Sequence, residues 1–295
     1  MKILLLGANG QVGTELQRTL LVLGELKSCT RGQANLEDLK GLRSLIQDYQ
    51  PNIIVNAAAY TAVDRAESDK NQAELINTTA VGVMAQEAKN LDAWLVHYST
   101  DYVFDGEKLE AYIESDTTNP VNVYGSTKCK GEELITSSGC KHLIFRTSWV
   151  YGFHGNNFAG NMIRLFQDKD ELSVVSDQIG VPTSAELIAD ITSACLMQAL
   201  RKNTDLSGIY HLAPSGNTSW YGFAQYLLEK GQSIVDGLSS HSVNLNPIPT
   251  SQYPTPAKRP KNSLLNTNKI SQEFGIFMPM WQTHVDRFLN QNYGH

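Results

Sequence analysis

The chain lacks the patterns that mark several classes of protein. Its four cysteines, Cys29, Cys129, Cys140 and Cys195, form no C-x-x-C pair and keep no metal-ligand spacing with histidine. That excludes a thiolate zinc module and gives no sign of a disulfide framework. Cys29, Cys140 and Cys195 lie in apolar or strand-like surroundings and read as reduced core thiols. No stretch approaches the roughly 18 uncharged apolar residues that span a bilayer. The apolar run after Met1 is broken at Gly7, too early for the core of a secretory signal, so cytoplasm is the expected compartment. Positive charge is not in excess. Lys and Arg number 24 against 30 Asp and Glu, a formal net charge of -6, which argues against a nucleic-acid partner and gives no reason to expect a membrane partner. A small anionic substrate stays open, because a pocket can be basic inside an acidic protein. Internal repeats, charge blocks and low-complexity tracts are missing too.

What is present is 295 residues, 41% of them hydrophobic, enough to bury a core as one large α/β domain or two smaller ones. Short apolar strand patterns at 2–6, 26–29, 52–56, 93–98 and 142–146 alternate with helical patterns at 12–23, 36–49, 69–90 and 123–137. Strand–helix alternation implies right-handed crossovers and a parallel sheet covered on both faces. The expected fold class is therefore α/β, a doubly wound parallel sheet of Rossmann type with a smaller C-terminal α+β substrate lobe. Residues 1–150 are read as the dinucleotide-binding domain and 151–295 mainly as the substrate-binding lobe. The boundary is approximate, and some chain crosses back. Helices are expected near 184–200 and 220–230, and the proline-rich stretch 253–260 reads as a binding loop rather than a linker.

Chemistry enters at Gly7-Ala8-Asn9-Gly10-Gln11-Val12-Gly13, which follows a strand and opens a helix. Glycines there permit a tight turn and close backbone approach, so that helix N–H groups meet a pyrophosphate. The spacing G-x-x-G-x-x-G suits short-chain dehydrogenases better than G-x-G-x-x-G. The second strand ends in Cys29-Thr30-Arg31 with no acid. An acid at that position would hold the adenosine ribose of NAD. Arg31 suits a 2′-phosphate instead, so NADPH is expected ahead of NADH; a solvated surface arginine is the plain alternative. Asn56-Ala57-Ala58-Ala59 places small side chains where ribose and nicotinamide would need room, although tight helix packing would ask for the same alanines.

Ser99 and Thr100 end a strand, and Tyr124 and Lys128 follow at a helical spacing of four, so the last two share a helix face. A tyrosine hydroxyl titrates near 10 when free. A neighbouring ammonium lowers that value and makes the phenol a proton donor to an alkoxide formed as hydride arrives. The hydroxyl of Thr100, or of Ser99, would hydrogen-bond the carbonyl oxygen.

These motifs, with Val55-Asn-Ala-Ala-Ala59, Thr61-Ala-Val-Asp64, His97-Tyr-Ser-Thr-Asp-Tyr-Val-Phe104, Asn122-Val-Tyr-Gly125, His142-Leu-Ile-Phe-Arg-Thr-Ser-Trp-Val-Tyr151, Asn156-Asn-Phe158 and residues 253–260, span nearly the whole chain. The sequence resembles the extended short-chain dehydrogenase/reductases, and within them the dTDP-4-dehydrorhamnose reductase family. That resemblance implies reduction of the C4 ketone of dTDP-4-dehydro-L-rhamnose, with catalytic Thr100, Tyr124 and Lys128. The implied cofactor contacts are Gly7, Asn9, Gly10, Gln11, Val12, Arg31, Ala57, Ala58, Tyr124 and Lys128. It further implies a nucleotide-sugar pocket bordered by Thr61, Val63, Asp64, Thr100, Tyr102, Tyr124 and Trp149, with Arg259 offering a donor fork to the diphosphate. Some family members hold Mg²⁺ at a homodimer interface through acids matching Glu15, Glu186 and Asp190; solvated helix acids are the commoner explanation. Related dehydratases carry a Glu where this chain has Tyr102, which disfavours elimination. A sugar-nucleotide epimerase and a non-catalytic regulatory subunit remain as alternatives.

Overall fold

The computed structural model describes residues 1–201, 205–238 and 243–294. Lys2–Leu6 (β1) is apolar beyond Lys2 and completely buried from Ile3 onward, the signature of an interior parallel strand covered on both faces. It pairs in parallel with Glu25–Cys29 (β2) on one side and with Ile53–Asn56 (β3) on the other. Trp94–Thr100 (β4), Lys141–Thr147 (β5) and the strand Gly208–His211 extend the sheet in parallel beyond β3. The strand order, Gly208–His211, β5, β4, β3, β1, β2, puts the topological switch between β1 and β3, where ligands bind at the carboxyl ends of the strands. Residues beyond 150 thus supply the sixth strand.

The two sheet faces carry separate apolar clusters. Ile3, Leu5, Ile53 and Val55 pack against Gln11–Leu20 (α1) and the helix Ala185–Arg201. Leu4, Leu6 and Ile54 pack against Leu39–Tyr49 (α2) and the helix Ala80–Asn90. A third cluster, including Tyr151, Phe166, Phe223 and Phe288, forms the core of the C-terminal part. Small strand pairs frame that part, such as Glu171–Val175 with Asn244–Ile248 and Ile179–Gly180 with Thr218–Ser219.

Several boundaries differ from the sequence reading for local reasons. α2 starts at Leu39 because the Asp38 side chain caps it at Gly41 N, and it ends on Gln50 in the left-handed conformation, one residue before Pro51. The single helix expected at 69–90 is Lys70–Glu74 and Ala80–Asn90 joined by a π-helical turn, Leu75–Thr79. Such widened turns recur beside functional sites. Here the turn sets Asn77 against the helix Val123–Ser138: its amide donates to Tyr60 O and Thr127 Oγ1 and accepts from Tyr60 N. All four cysteines are free and buried, and no described helix is long and apolar enough to cross a membrane.

One buried ion pair joins the helix Val123–Ser138 to the sheet. Arg146 on β5 reaches Glu132 through Nε (3.0 Å to Oε1) and Nη2 (2.6 Å to Oε2), and both side chains are less than 5% exposed. Removing one member strands a buried charge. Glu132→Ala should therefore cost about 3–5 kcal/mol of unfolding free energy in a urea titration, whereas Glu132→Leu with Arg146→Met should recover most of it. Equal losses in the single and double variants would contradict this account.

Candidate active site

The site opens at the switch between β1 and β3. The backbone leaves β1 through Gly7 at φ +80°, and the amides of Gly7 and Ala8 both donate to Cys29 O at the end of β2. A side chain at Gly7 would meet the backbone of Ala57 and Ala58 at 2.7–2.9 Å, and one at Gly13 would meet Gly7 O at 2.0 Å. The glycine turn is thus pressed against the end of β3 and the start of α1, a contact only hydrogen allows. Gly10 caps α1 without any side-chain bond to its N–H groups, which leaves that helix end suited to an anion. A cavity of about 680 Å³ runs from this turn past Ala57, Ala58 and Thr61 to Thr100, Tyr102, Tyr124, Lys128 and Trp149. Asn9, Gln11, Val12, Arg31 and Val63 line it as well.

Thr100 ends β4, and Tyr124 and Lys128 stand one turn apart on the helix Val123–Ser138, whose first turn is capped by Asn122. Thr100 Oγ1 donates to Asp101 Oδ1 (3.0 Å) and accepts from Tyr102 N (3.1 Å). Enclosure by the cavity walls, with the charge of Asp101 nearby, pushes the Tyr124 hydroxyl up despite its bond to Thr100. Lys128, expected with an oxidised nicotinamide to lower it, does not offset that rise in the chain alone. The lysine side chain is turned inward, where Nζ donates to Tyr98 O (2.5 Å) and meets His97 Nε2 (3.1 Å). Burial lowers Lys128 to about 8, against an opposing pull from Glu132. Tyr102 stands edge-on to Tyr124 at 5.7 Å, and burial holds its hydroxyl up at about 12 in spite of Arg259.

Trp149 forms the far wall. Its backbone is in the left-handed region (φ +48°), a conformation costing an aromatic residue about 1–3 kcal/mol and kept only where the surroundings enforce it. They do so by stacking: the ring lies 3.8 Å from Trp220 and covers Gly180, where a Cβ would fall 2.5 Å from the indole. Arg259 arrives from the proline-rich segment, which is tied to the first half of the chain. Its Nη2 pairs with Asp64 Oδ2 (2.7 Å) and its Nη1 lies 3.5 Å from Tyr102 Oη, while Asn122 Nδ2 donates to Lys258 O. Arg259 was expected to offer its fork to a diphosphate. It has instead an acidic partner at the cavity rim.

Comparison with known proteins agrees with this geometry. The RmlD substrate binding domain family matches residues 1–293. The dTDP-4-dehydrorhamnose reductase of Escherichia coli K12 is 48% identical over 99% of this chain and 98% of its own. The chain belongs to the dTDP-4-dehydrorhamnose reductase family. Among solved members, the reductase from Bacillus anthracis in complex with NADP superposes with a TM-score of 0.88 at 33% identity, over 98% of this chain and 99% of the other. That from Clostridium acetobutylicum gives 0.89 at 34%, over 99% of each.

In this dTDP-4-dehydrorhamnose reductase family member the three acids considered for Mg²⁺ lie near one another but are already neutralised. Arg18 pairs with Asp190 (2.9 Å) and Glu15 (3.5 Å), and Arg287 pairs with Glu186 (2.6 Å). Among the described residues no three His, Cys, Asp or Glu side chains are grouped to hold a metal ion. Within one chain this donor set does not fit Mg²⁺. Arg31 is exposed and pairs with Glu37 (2.5 Å). Asn56, His97, Asp101 and Trp220 were not singled out from the sequence as site residues. A histidine inside an otherwise apolar strand was the available signal for His97; Trp220 had none, because its place comes from a helix some 70 residues beyond Trp149.

A methyl group at residue 180 has nowhere to go but into the Trp149 ring. Gly180→Ala should lower stability by about 1–3 kcal/mol and shift tryptophan emission. If neither changes, Trp149 is not held by this packing.

Proposed function

We propose that the chain reduces the C4 ketone of dTDP-4-dehydro-L-rhamnose to dTDP-L-rhamnose with NADPH. The observation that carries the reading is the meeting of Thr100, Tyr124 and Lys128 in one cavity with a glycine turn that no side chain could enter. The glycine cradle, the uncapped start of α1 and the small residues Ala57 and Ala58 fit a dinucleotide. When bound, that cofactor supplies the hydride.

The remaining steps belong to the chain. Trp149 and Tyr102 wall the sugar and exclude water from C4. Thr100 orients the reacting oxygen beside Tyr124. Because enclosure keeps Tyr124 a phenol, a proton is available at its Oη for the alkoxide, and the developing charge draws the proton across. Elimination would need a base where Tyr102 stands, and a hydroxyl held at about 12 stays protonated near neutral pH. That favours the reductase over the dehydratase reading. Arg259, beside Tyr102, would take the diphosphate in exchange with Asp64.

NADPH is favoured over NADH because β2 ends without an acid and Arg31 lines the cavity beside it. The NADP complex of the Bacillus anthracis relative supports this choice. The nucleotide-sugar substrate is the only partner the reading requires.

With purified protein, NADPH and enzymatically made dTDP-4-dehydro-L-rhamnose, cofactor oxidation should depend on the sugar. Tyr124→Phe should lose about 10²–10⁴-fold in kcat while still binding NADPH. A folded, cofactor-binding wild type that leaves this sugar untouched would defeat the proposal. Arg31→Ala should raise the KM for NADPH about tenfold, the loss of one charge-assisted contact, and leave that for NADH within about twofold. Parallel changes for both cofactors would rule out a 2′-phosphate contact.

A further inference from the structure

Behind Lys128 a line of hydrogen-bonding groups runs into the protein interior. Ala58 N donates to Asn56 Oδ1 (3.1 Å), Asn56 Nδ2 lies 3.1 Å from His97 Nδ1, and His97 Nε2 lies 3.1 Å from Lys128 Nζ. Asn56 and His97 are each 1% exposed and Lys128 2%, so water does not substitute for a mismatched partner.

The order of donors along this line is forced. A backbone N–H can only donate. Asn56 accepts from it through Oδ1 and so presents its NH₂ to His97. A neutral imidazole has one donor and one acceptor; Nδ1 must accept, which places the ring proton on Nε2, aimed at Lys128 Nζ. An ammonium has three donors and no lone pair, so it cannot close the line. A free amine can, accepting from His97 while still donating to Tyr98 O.

We propose that Asn56 and His97 form a seat that admits Lys128 only as a free amine, so that protonation and departure from the seat are one event. Charged, Lys128 has to turn toward the cavity it lines with Tyr124; neutral, it returns to His97. Both groups are positioning residues that act through Lys128.

The surroundings agree. Full burial, with Lys128 alongside, drives His97 far toward its neutral form, and burial depresses Lys128. The charged neighbour of Lys128 on its own helix is Glu132, and Arg146 from β5 already takes that charge. From β4 it faces His97 and the carbonyl of Tyr98, and the π turn across the helix brings the uncharged Asn77 and Thr78 against the neighbouring Thr127.

The idea rests on the reductase reading only for the importance of Lys128, and its test needs no turnover. In the ligand-free full chain, ¹⁵N NMR of labelled histidine should show His97 with its proton on Nε2, and a ¹⁵N-lysine titration should give the midpoint of Lys128. Asn56→Asp reverses the line: a carboxylate accepts from Ala58 and from His97 Nδ1–H, leaving Nε2 free to accept from an ammonium. That variant should move the His97 proton to Nδ1 and raise the Lys128 midpoint by about one pH unit or more. His97→Gln can still accept from Asn56 through its carbonyl and donate toward Lys128 through its amide, and should hold the midpoint within about half a unit. A proton on Nδ1 in the wild type overturns the proposal outright, whether or not the variants fold. So does an unmoved midpoint in folded Asn56→Asp. Loss of sugar reduction with the Nε2–H form intact would count against the proposed activity and not against the seat.

Discussion

The site depends on how closely one helix is laid against the rest of the molecule. A side chain on Gly125 would stand 2.1 Å from Tyr102 O, and one on Gly131 would stand 2.4 Å from Asn77 O. The helix Val123–Ser138 is therefore pressed onto the loop after β4 on one side and onto the π turn on the other. The Glu132–Arg146 pair fixes its distance from the sheet, and Glu67 accepts from Val123 N at its start. Tyr124 and Lys128 inherit their positions from these contacts, one turn apart between Thr100 and His97. A buried pair of this kind adds little net stability compared with apolar packing. What it supplies is register, because a helix slipped by one residue would strand both charges and turn the phenol out of the cavity.

The same closeness sets the protonation states. Lys128 sits in an interior that penalises charge, and an interior that penalises charge does so in both directions. It keeps Tyr124 and Tyr102 as phenols and drives His97 and Lys128 toward neutral bases. A phenol and an amine, each with its charged form disfavoured by burial, thus stand side by side. Charge becomes favourable there only when something of opposite sign develops, which is the condition an alkoxide creates.

Much of this was legible in the chain. Strand–helix alternation gave the parallel sheet, and the glycine turn, Thr100, Tyr124 and Lys128 announced themselves by spacing, because spacing within one element survives translation into structure. The illegible parts depend on distant elements. The π turn at Leu75–Thr79 interrupts a helical pattern without a proline or glycine to mark it, and its reason lies across the interface in Thr127 and Gly131. Trp220 joins Trp149 only because two parts of the chain meet. Lys128 was read correctly as a neighbour of Tyr124 by helix spacing, but not the direction of its amine, which is decided by a carbonyl on β4 and a histidine one residue before it. The acids Glu15, Glu186 and Asp190 matched a pattern, yet their charges are met by Arg18 and Arg287, one of them from the last described helix.

The proposed function asks an acidic protein to recognise an anionic substrate, and the way its cations are kept bears on that. Arg259 is half-buried and holds Asp64 as partner, with Tyr102 beside it. A guanidinium left bare at a cavity rim would attract any passing anion. Held by Asp64, on the proposed function it would yield to a ligand that offers more than one charge-assisted contact and brings apolar surface for Trp149 to cover at the same time. A diphosphate joined to a sugar meets both conditions, and inorganic phosphate meets one. Under the proposed function, selectivity at this rim would arise from the competitor the protein supplies itself, with the strained Trp149 backbone as the part of the wall that makes the second condition count.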